Sequence, residues 1–345
     1  MIHGGDLETY KDKYKGNIID FSSNINPLGP PLCLKGEMDR AYSELCAYPD
    51  IHYRELRQNI ASYLKCDAKE VITGSGAIDI INNVSLMFKR VVVFTPCFSE
   101  YIKRPAVLGK DVLKLPLNEN FKIDTVKLAD NLQSGDLLIL GNPNNPTGLK
   151  IPRKTLMEVY DIVMQKKAFL LLDEAFFEFC PAGYDSVKIF KGSKNVCVIR
   201  AATKFFALPG IRLGYGFASA EFAQEYRNIE MPWSVNSYAN AAGRCIFKNS
   251  GYIERTKEYI RKEREYLTCE LSEIKWIRVF KSDANFILLK LLEYDEDIVF
   301  ERLIKNGIMV RKASNFEGLD RRFIRIAVKD HDSNKKLIKL LKEFE

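Results

Sequence analysis

The chain has 345 residues, 46% of them hydrophobic, which is more than one core usually holds and enough to bury two. Its 52 basic and 45 acidic residues are well mixed, and the resulting net charge of +7 comes without the aromatic-interleaved basic block of a nucleic-acid surface. The eight cysteines form no CxxC pair or Cys-His cluster, the N-terminus lacks a basic region before an apolar stretch, and no run of about 18 apolar residues occurs, so a reduced cytoplasmic protein without metal, membrane or nucleic-acid partner is expected.

In chain order, the motif Asp20-Phe21-Ser22-Ser23-Asn24-Ile25-Asn26-Pro27-Leu28-Gly29 comes first, then Tyr48-Pro49-Asp50. Residues 53–64 place Leu56, Ile60 and Tyr63 or Leu64 on one helical face. Short apolar runs follow at 71–73, 91–95, 112–115, 137–140, 169–172, 196–199 and 213–218, alternating with amphipathic stretches such as 153–165. That rhythm predicts an α/β fold whose strands are mostly parallel and carry the ligand at their C-terminal ends. The turn Thr73-Gly74-Ser75-Gly76-Ala77 precedes a helix-like stretch at 78–87; a dinucleotide fingerprint would need glycine at Asp79. The run Gly141-Asn142-Pro143-Asn144-Asn145-Pro146-Thr147-Gly148 lacks the Lys-Ser/Thr ending of a P-loop and reads as a rigid Pro-rich loop. After Met231-Pro232-Trp233-Ser234-Val235-Asn236 the pattern changes to long charged helices, clearest at 251–271, then strands at 286–290 and 323–327 and a last helix. The predicted organisation is an arm at 1–30, a large domain at 31–240 and a smaller α+β domain at 241–345.

Three charges stand in a telling order. Asp173 ends the apolar run Leu170-Leu171-Leu172, Lys204 lies 31 positions later, and Arg212 eight positions after that. A pyridoxal ring works as an electron sink only while its nitrogen stays protonated, which calls for a buried carboxylate such as Asp173. Its aldehyde needs an amine for a Schiff base, and Lys204 follows a strand whose end would project it into a cleft, desolvated and of lowered pKa. Its phosphate needs fixed donors, which the Arg212 fork and the amides at the start of the helix after Gly76 would supply. Taken singly these signals are weak, since an Asp-Glu pair after a strand commonly marks a sheet-edge turn and a Lys near Pro-Gly is commonly solvated.

The ordered set, Asn-Pro-Thr-Gly, then Asp-x-Ala-aromatic, then Thr-Lys with Arg eight residues on, resembles the fold type I aminotransferase superfamily over nearly the whole chain. Asp20 to Gly29, Tyr48-Pro49-Asp50 and the 142–148 loop narrow the resemblance to the branch of histidinol-phosphate aminotransferases and threonine-phosphate decarboxylases. The segments His3-Gly4-Gly5, Thr203-Lys204-Phe205, Met231 to Asn236 and Asn315-Phe316-x-Gly318-Leu319-Asp320 look more like the decarboxylases. The resemblance implies a pyridoxal 5′-phosphate enzyme acting on a phosphorylated amino substrate, and for a decarboxylase an aminopropanol phosphate product used to build cobalamin. It gives Lys204 the role of Schiff-base lysine and proton carrier, Asp173 the ring nitrogen, Asn145 the phenolic oxygen, and Phe98 the stacking face. Arg212, Thr203 and the Gly76, Ala77 and Ile78 turn would hold the cofactor phosphate, with Tyr48 reaching it from a neighbouring subunit in a homodimer. Arg325 would pair with the substrate carboxylate, and Arg311 with its phosphate, helped by His3 and Asn26.

Two departures from the family pattern stand out. Phe176 replaces a tyrosine that many aminotransferases use on the phenolic oxygen, leaving that contact to Asn145, and Ala201 stands where some relatives place a hydroxyl. A histidinol-phosphate aminotransferase would use Lys204, Asp173 and Arg325 equally well. A non-enzymatic sensor domain would need a fused DNA-binding module, and no segment before Asp20 is long enough to be one.

Overall fold

The computed structural model describes residues 4–344. Along the chain the strands are Ile19–Asp20 (β1), Val71–Ser75 (β2), Arg90–Thr95 (β3), Asp111–Pro116 (β4), Leu137–Gly141 (β5), Phe169–Asp173 (β6), Val196–Ala201 (β7), Leu213–Ala218 (β8), Ile277–Val279 (β9), Phe286–Leu291 (β10), Ile308–Met309 (β11), Arg311–Lys312 (β12) and Phe323–Ala327 (β13). The seven runs from β2 to β8 form one sheet in the order β2-β8-β7-β6-β5-β3-β4. Only β8 runs against its neighbours; the pairs from β7 to β4 are all parallel. The α/β architecture with a mostly parallel sheet is therefore the one expected from the apolar rhythm.

Parallel strands are covered by helices on both faces, which is why Leu170, Leu171 and Leu172 of β6 are all fully buried. The helix Arg153–Gln165 starts behind Pro152, whose fixed φ suits that position, and buries Leu156, Val159 and Val163 at helical spacing. The helix Ala77–Leu86 starts after Gly76 at φ +82°, with Asp79 in its first turn accepting a hydrogen bond from the Ser75 amide at 2.9 Å.

A second, smaller antiparallel sheet has the order β12-β13-β10-β9. The 23-residue helix Ser250–Ser272 ties it to the first unit: the buried Arg264 donates to the carbonyls of Ala284 at 2.9 Å, Asp283 at 3.1 Å and Phe179 at 3.3 Å. The N-terminal segment joins this second unit. β1 pairs in parallel with β11, Phe21 accepts from the Ala327 amide, and Asn285 Nδ2 donates to the Asn24 carbonyl. Among the described residues no helix is long and apolar enough to cross a membrane.

Candidate active site

A cleft of about 440 Å³ opens at the C-terminal ends of the parallel strands. Lys204 enters it from the short helix Ala202–Phe205, which begins as β7 ends. Burial, then the charges of Arg325 and Arg212, push its amine down to about 8. A lowered folded value means that the unfolded chain holds more protons on this lysine between about 8 and its ordinary 10.5. The group therefore adds stability to the cofactor-free protein as pH rises through that window, and the contribution is lost as pH falls through about 8. The neutral amine is the reactive form, so capture of pyridoxal phosphate by the cofactor-free protein should quicken up to about pH 8 and then level off. A capture rate still climbing towards pH 10.5 in stopped-flow absorbance would show an unperturbed amine.

Asp173 ends β6 and is 6% exposed. Its Oδ2 accepts from the Tyr101 hydroxyl at 2.7 Å and its Oδ1 from the Ala175 amide at 2.9 Å. Burial raises its pKa, and those two bonds oppose the rise by favouring the anion. Behind it, Glu174 is fully buried, pairs with Arg200 Nη2 at 3.0 Å and accepts from Asn142 Nδ2 at 2.9 Å. Asn142 Oδ1 accepts in turn from the Ile151 amide at 2.9 Å and the Tyr184 hydroxyl at 3.2 Å, so a buried ion pair fixes the loop that presents Asn145.

Asn145 lines the cleft, and its Oδ1 accepts from Arg325 Nη1, which leaves its amide nitrogen as the group available to an acceptor. Arg325, on β13, is 5% exposed and donates also to the Ser22 carbonyl at 2.9 Å. Both partners are neutral oxygens, and its Nε has no partner among the described residues. Arg311 on β12 faces it in register, is 3% exposed, and donates to Asn315 Oδ1 at 2.8 Å. Burial first, and for Arg325 the charge of Arg311 next, disfavour both cations. Glu296 near Arg311 and Asp20 near Arg325 act the other way and favour the cations.

Arg212 and the turn after β2 meet at the cleft. A Cβ added to Gly76 would lie 2.4 Å from Arg212 Nη2, and one added to Gly214 would lie 2.5 Å from the Ala77 amide nitrogen. Bare backbone at both positions lets the guanidinium lie against the start of the helix Ala77–Leu86, whose opening amides have no partner within the helix. This glycine-lined cradle, with a desolvated amine and a buried carboxylate at the same cleft, fits a phosphorylated pyridinium aldehyde.

Of the residues expected from sequence, Lys204, Asp173, Ala77, Ile78, Phe98, Asn145, Thr203, Arg212, Arg325 and Arg311 all line one cleft, as do Phe176 and Ala201. Gly76 does not line it and acts only by admitting Arg212. Asn26 is not in it either: its Nδ2 donates to the Phe205 carbonyl and Tyr252 hydroxyl, both at 2.8 Å, and to Thr256 Oγ1 at 3.1 Å, and its Oδ1 accepts from the Leu28 amide, so the side chain is spent on holding the N-terminal segment. Asn24 takes the lining place, with a buried Oδ1 that has no partner among the described residues. Tyr48 is 79% exposed on the surface of its own chain, stacked on Trp233 at 4.5 Å. His3 lies outside the described residues. Tyr101 was missed; its buried hydroxyl needs a polar partner, and that partner lies 72 positions away in the chain.

A family model described as aminotransferase class I and II matches residues 16–341. A Caldanaerobacter subterraneus protein provisionally named threonine-phosphate decarboxylase is 42% identical over 99% of this chain and 96% of its own length. The threonine-phosphate decarboxylase of Salmonella typhimurium is 32% identical over 99% and 95%. The crystal structure of a histidinol-phosphate aminotransferase from Clostridium acetobutylicum superposes with a TM-score of 0.90 at 36% identity, covering 94% of this chain and 98% of that one.

Proposed function

The chain belongs to the class I and II aminotransferases, enzymes that work with pyridoxal 5′-phosphate, and from that premise we propose that it decarboxylates L-threonine O-3-phosphate to (R)-1-aminopropan-2-yl phosphate, a building block of cobalamin. The observation that carries this reading is the placing of two buried guanidinium groups, Arg311 and Arg325, in the lining of the cleft that Lys204 enters, a lining that suits a ligand with two anionic groups. O-phosphothreonine has both, a carboxylate for Arg325 and a phosphate for Arg311.

With the cofactor bound, Asp173 would hold the ring nitrogen's proton, Phe98 would supply a stacking face, Asn145 would donate to the phenolic oxygen, and Arg212, Thr203 and the amides of Ala77 and Ile78 would take the phosphate. When bound, the pyridinium supplies an electron sink for the bond broken at the substrate α-carbon. Arg325 and Arg311 decide which bond that is by where they hold the carboxylate and the phosphate. The carbon–carboxylate bond breaks, carbon dioxide leaves, and Lys204, which lines the same cleft, delivers the proton that replaces it at the α-carbon.

Tyr48 bears on assembly. Its exposed ring, stacked on a 40% exposed Trp233 near the 67% exposed Met231, is an aromatic surface that does not line its own cleft. It supports a homodimer in which Tyr48 completes the cofactor phosphate site of the other subunit.

Removing the Arg325 guanidinium should cost about 2–5 kcal/mol of substrate binding, the range for one partner of a desolvated charged pair. For Arg325→Ala this appears as a raised KM for O-phosphothreonine; unchanged kinetics would remove the residue from the carboxylate site. The function itself is tested by incubating the holoenzyme with O-phospho-L-threonine and measuring released carbon dioxide, beside histidinol phosphate and 2-oxoglutarate assayed for glutamate. The second assay is warranted by the 36% identity to the Clostridium aminotransferase, the observation favouring histidinol-phosphate transamination. Carbon dioxide without glutamate establishes the decarboxylase, and glutamate alone overturns it.

A further inference from the structure

We propose that Tyr101 is a positioning residue which, through its hydroxyl bond to Asp173, sets the balance of the proton shared between that carboxylate and the cofactor's ring nitrogen. The inference rests on the reading of Asp173 as the ring-nitrogen partner and goes beyond it.

Asp173 has two oxygens and two donors: Ala175 N–H on Oδ1 and Tyr101 O–H on Oδ2. Neither donor is a cation, and among the described residues no Lys, Arg or His forms an ion pair with Asp173, so the phenol is its one side-chain donor. Tyr101 is well placed for the task. It is 3% exposed, sits in the first turn of the helix Glu100–Val107, and its ring meets Phe98 edge-on with centroids 5.6 Å apart. One residue thus braces both the carboxylate under the ring nitrogen and the aromatic side chain assigned to the ring face. Burial and the neighbouring carboxylate push the phenol far above its ordinary range, so it stays a donor at any working pH.

The physical consequence concerns basicity. A carboxylate that accepts a hydrogen bond is a weaker base, so it leaves a shared proton on its partner. Without the Tyr101 hydroxyl, Asp173 becomes the stronger base in a dry site, and the proton moves from the ring nitrogen to the carboxylate. The result is a neutral acid facing a neutral ring: a weaker pair, and a ring that withdraws electrons less well.

Tyr101→Phe keeps the ring and its packing and deletes only the donor. The test compares affinity for pyridoxal phosphate with affinity for its 1-deaza analogue, which has carbon in place of the ring nitrogen, each titrated into cofactor-free protein by absorbance. Tyr101→Phe should weaken pyridoxal phosphate binding about tenfold, the scale of one bond to a charged group, and leave the analogue's affinity unchanged. The visible absorbance of the holoenzyme should also shift its pH dependence. Equal weakening of both ligands would make Tyr101 a packing residue and overturn the proposal, as would no change in either. Asp173→Asn separates the two levels of argument: if it leaves pyridoxal phosphate affinity intact, the assignment of Asp173 itself fails, whereas a loss there with Tyr101→Phe unchanged refutes only the role of the tyrosine.

Discussion

Lys204→Ala is expected to purify colourless and to stay inactive at every pH tested. Two functions reside in one amine. On the proposed reading it is the amine that links covalently to the cofactor, and the cleft lining offers no second lysine among the described residues to take that place. It is also the only lysine lining that cleft among the described residues, so proton transfer at the substrate carbon has no substitute lysine. Proton transfer alone accounts for about 10²–10⁴ of rate, and losing the covalent anchor adds to it. Absorbance above 400 nm surviving dialysis of Lys204→Ala would show that the amine is not the attachment point, and the assignment of the whole cleft would fall with it.

Arg200→Met should be the most damaging change away from the cleft. The guanidinium is 8% exposed and its partner Glu174 0%, so the substitution strands a carboxylate in the core at a cost of about 3–5 kcal/mol. Because Glu174 also accepts from Asn142 and Ser186, the damage spreads to the loop that carries Asn145. A lower denaturation midpoint and weaker cofactor retention are expected together. Pairing the change with Glu174→Leu should restore much of the stability while leaving cofactor retention poor, since the anchor of Asn142 is then absent. Full recovery of both would assign the network to stability alone.

How much of this was legible in sequence follows from where each signal is stored. The seven strands of the large sheet were readable because each contains a short apolar run, buried almost throughout in all but the edge strand β4. β1, β11 and β12 were not, because two residues carry no periodicity; they exist only because partner strands reach them. That Lys204, Asp173 and Arg212 share one cleft was readable because each ends, follows or precedes an apolar run, which places them at one edge of the sheet. The neighbouring asparagines show the limit. Asn24 and Asn26 stand two apart in one polar motif, and which of them meets the cleft depends on Tyr252 and Thr256, more than 220 residues further on, which capture Asn26. Tyr101 was hidden for the same reason: its partner lies 72 positions away, and nothing local marks the helix face it uses. Glu174 was visible only as the neighbour of Asp173, with no hint of Arg200 behind it.

The pairing of β1 with β11 bears on how the molecule is made. Ile19 and Ile308 are about 290 residues apart, so at ribosomal speeds the first strand waits roughly 15 to 60 s for its mate to be synthesised. During that interval Phe21 and the polar stretch after it have no sheet to join, although the large sheet can already assemble behind them. The segment around Phe21 therefore stays without its strand partners until β11 and β13 have emerged, and the bond from Arg325 to the Ser22 carbonyl at the cleft forms only then.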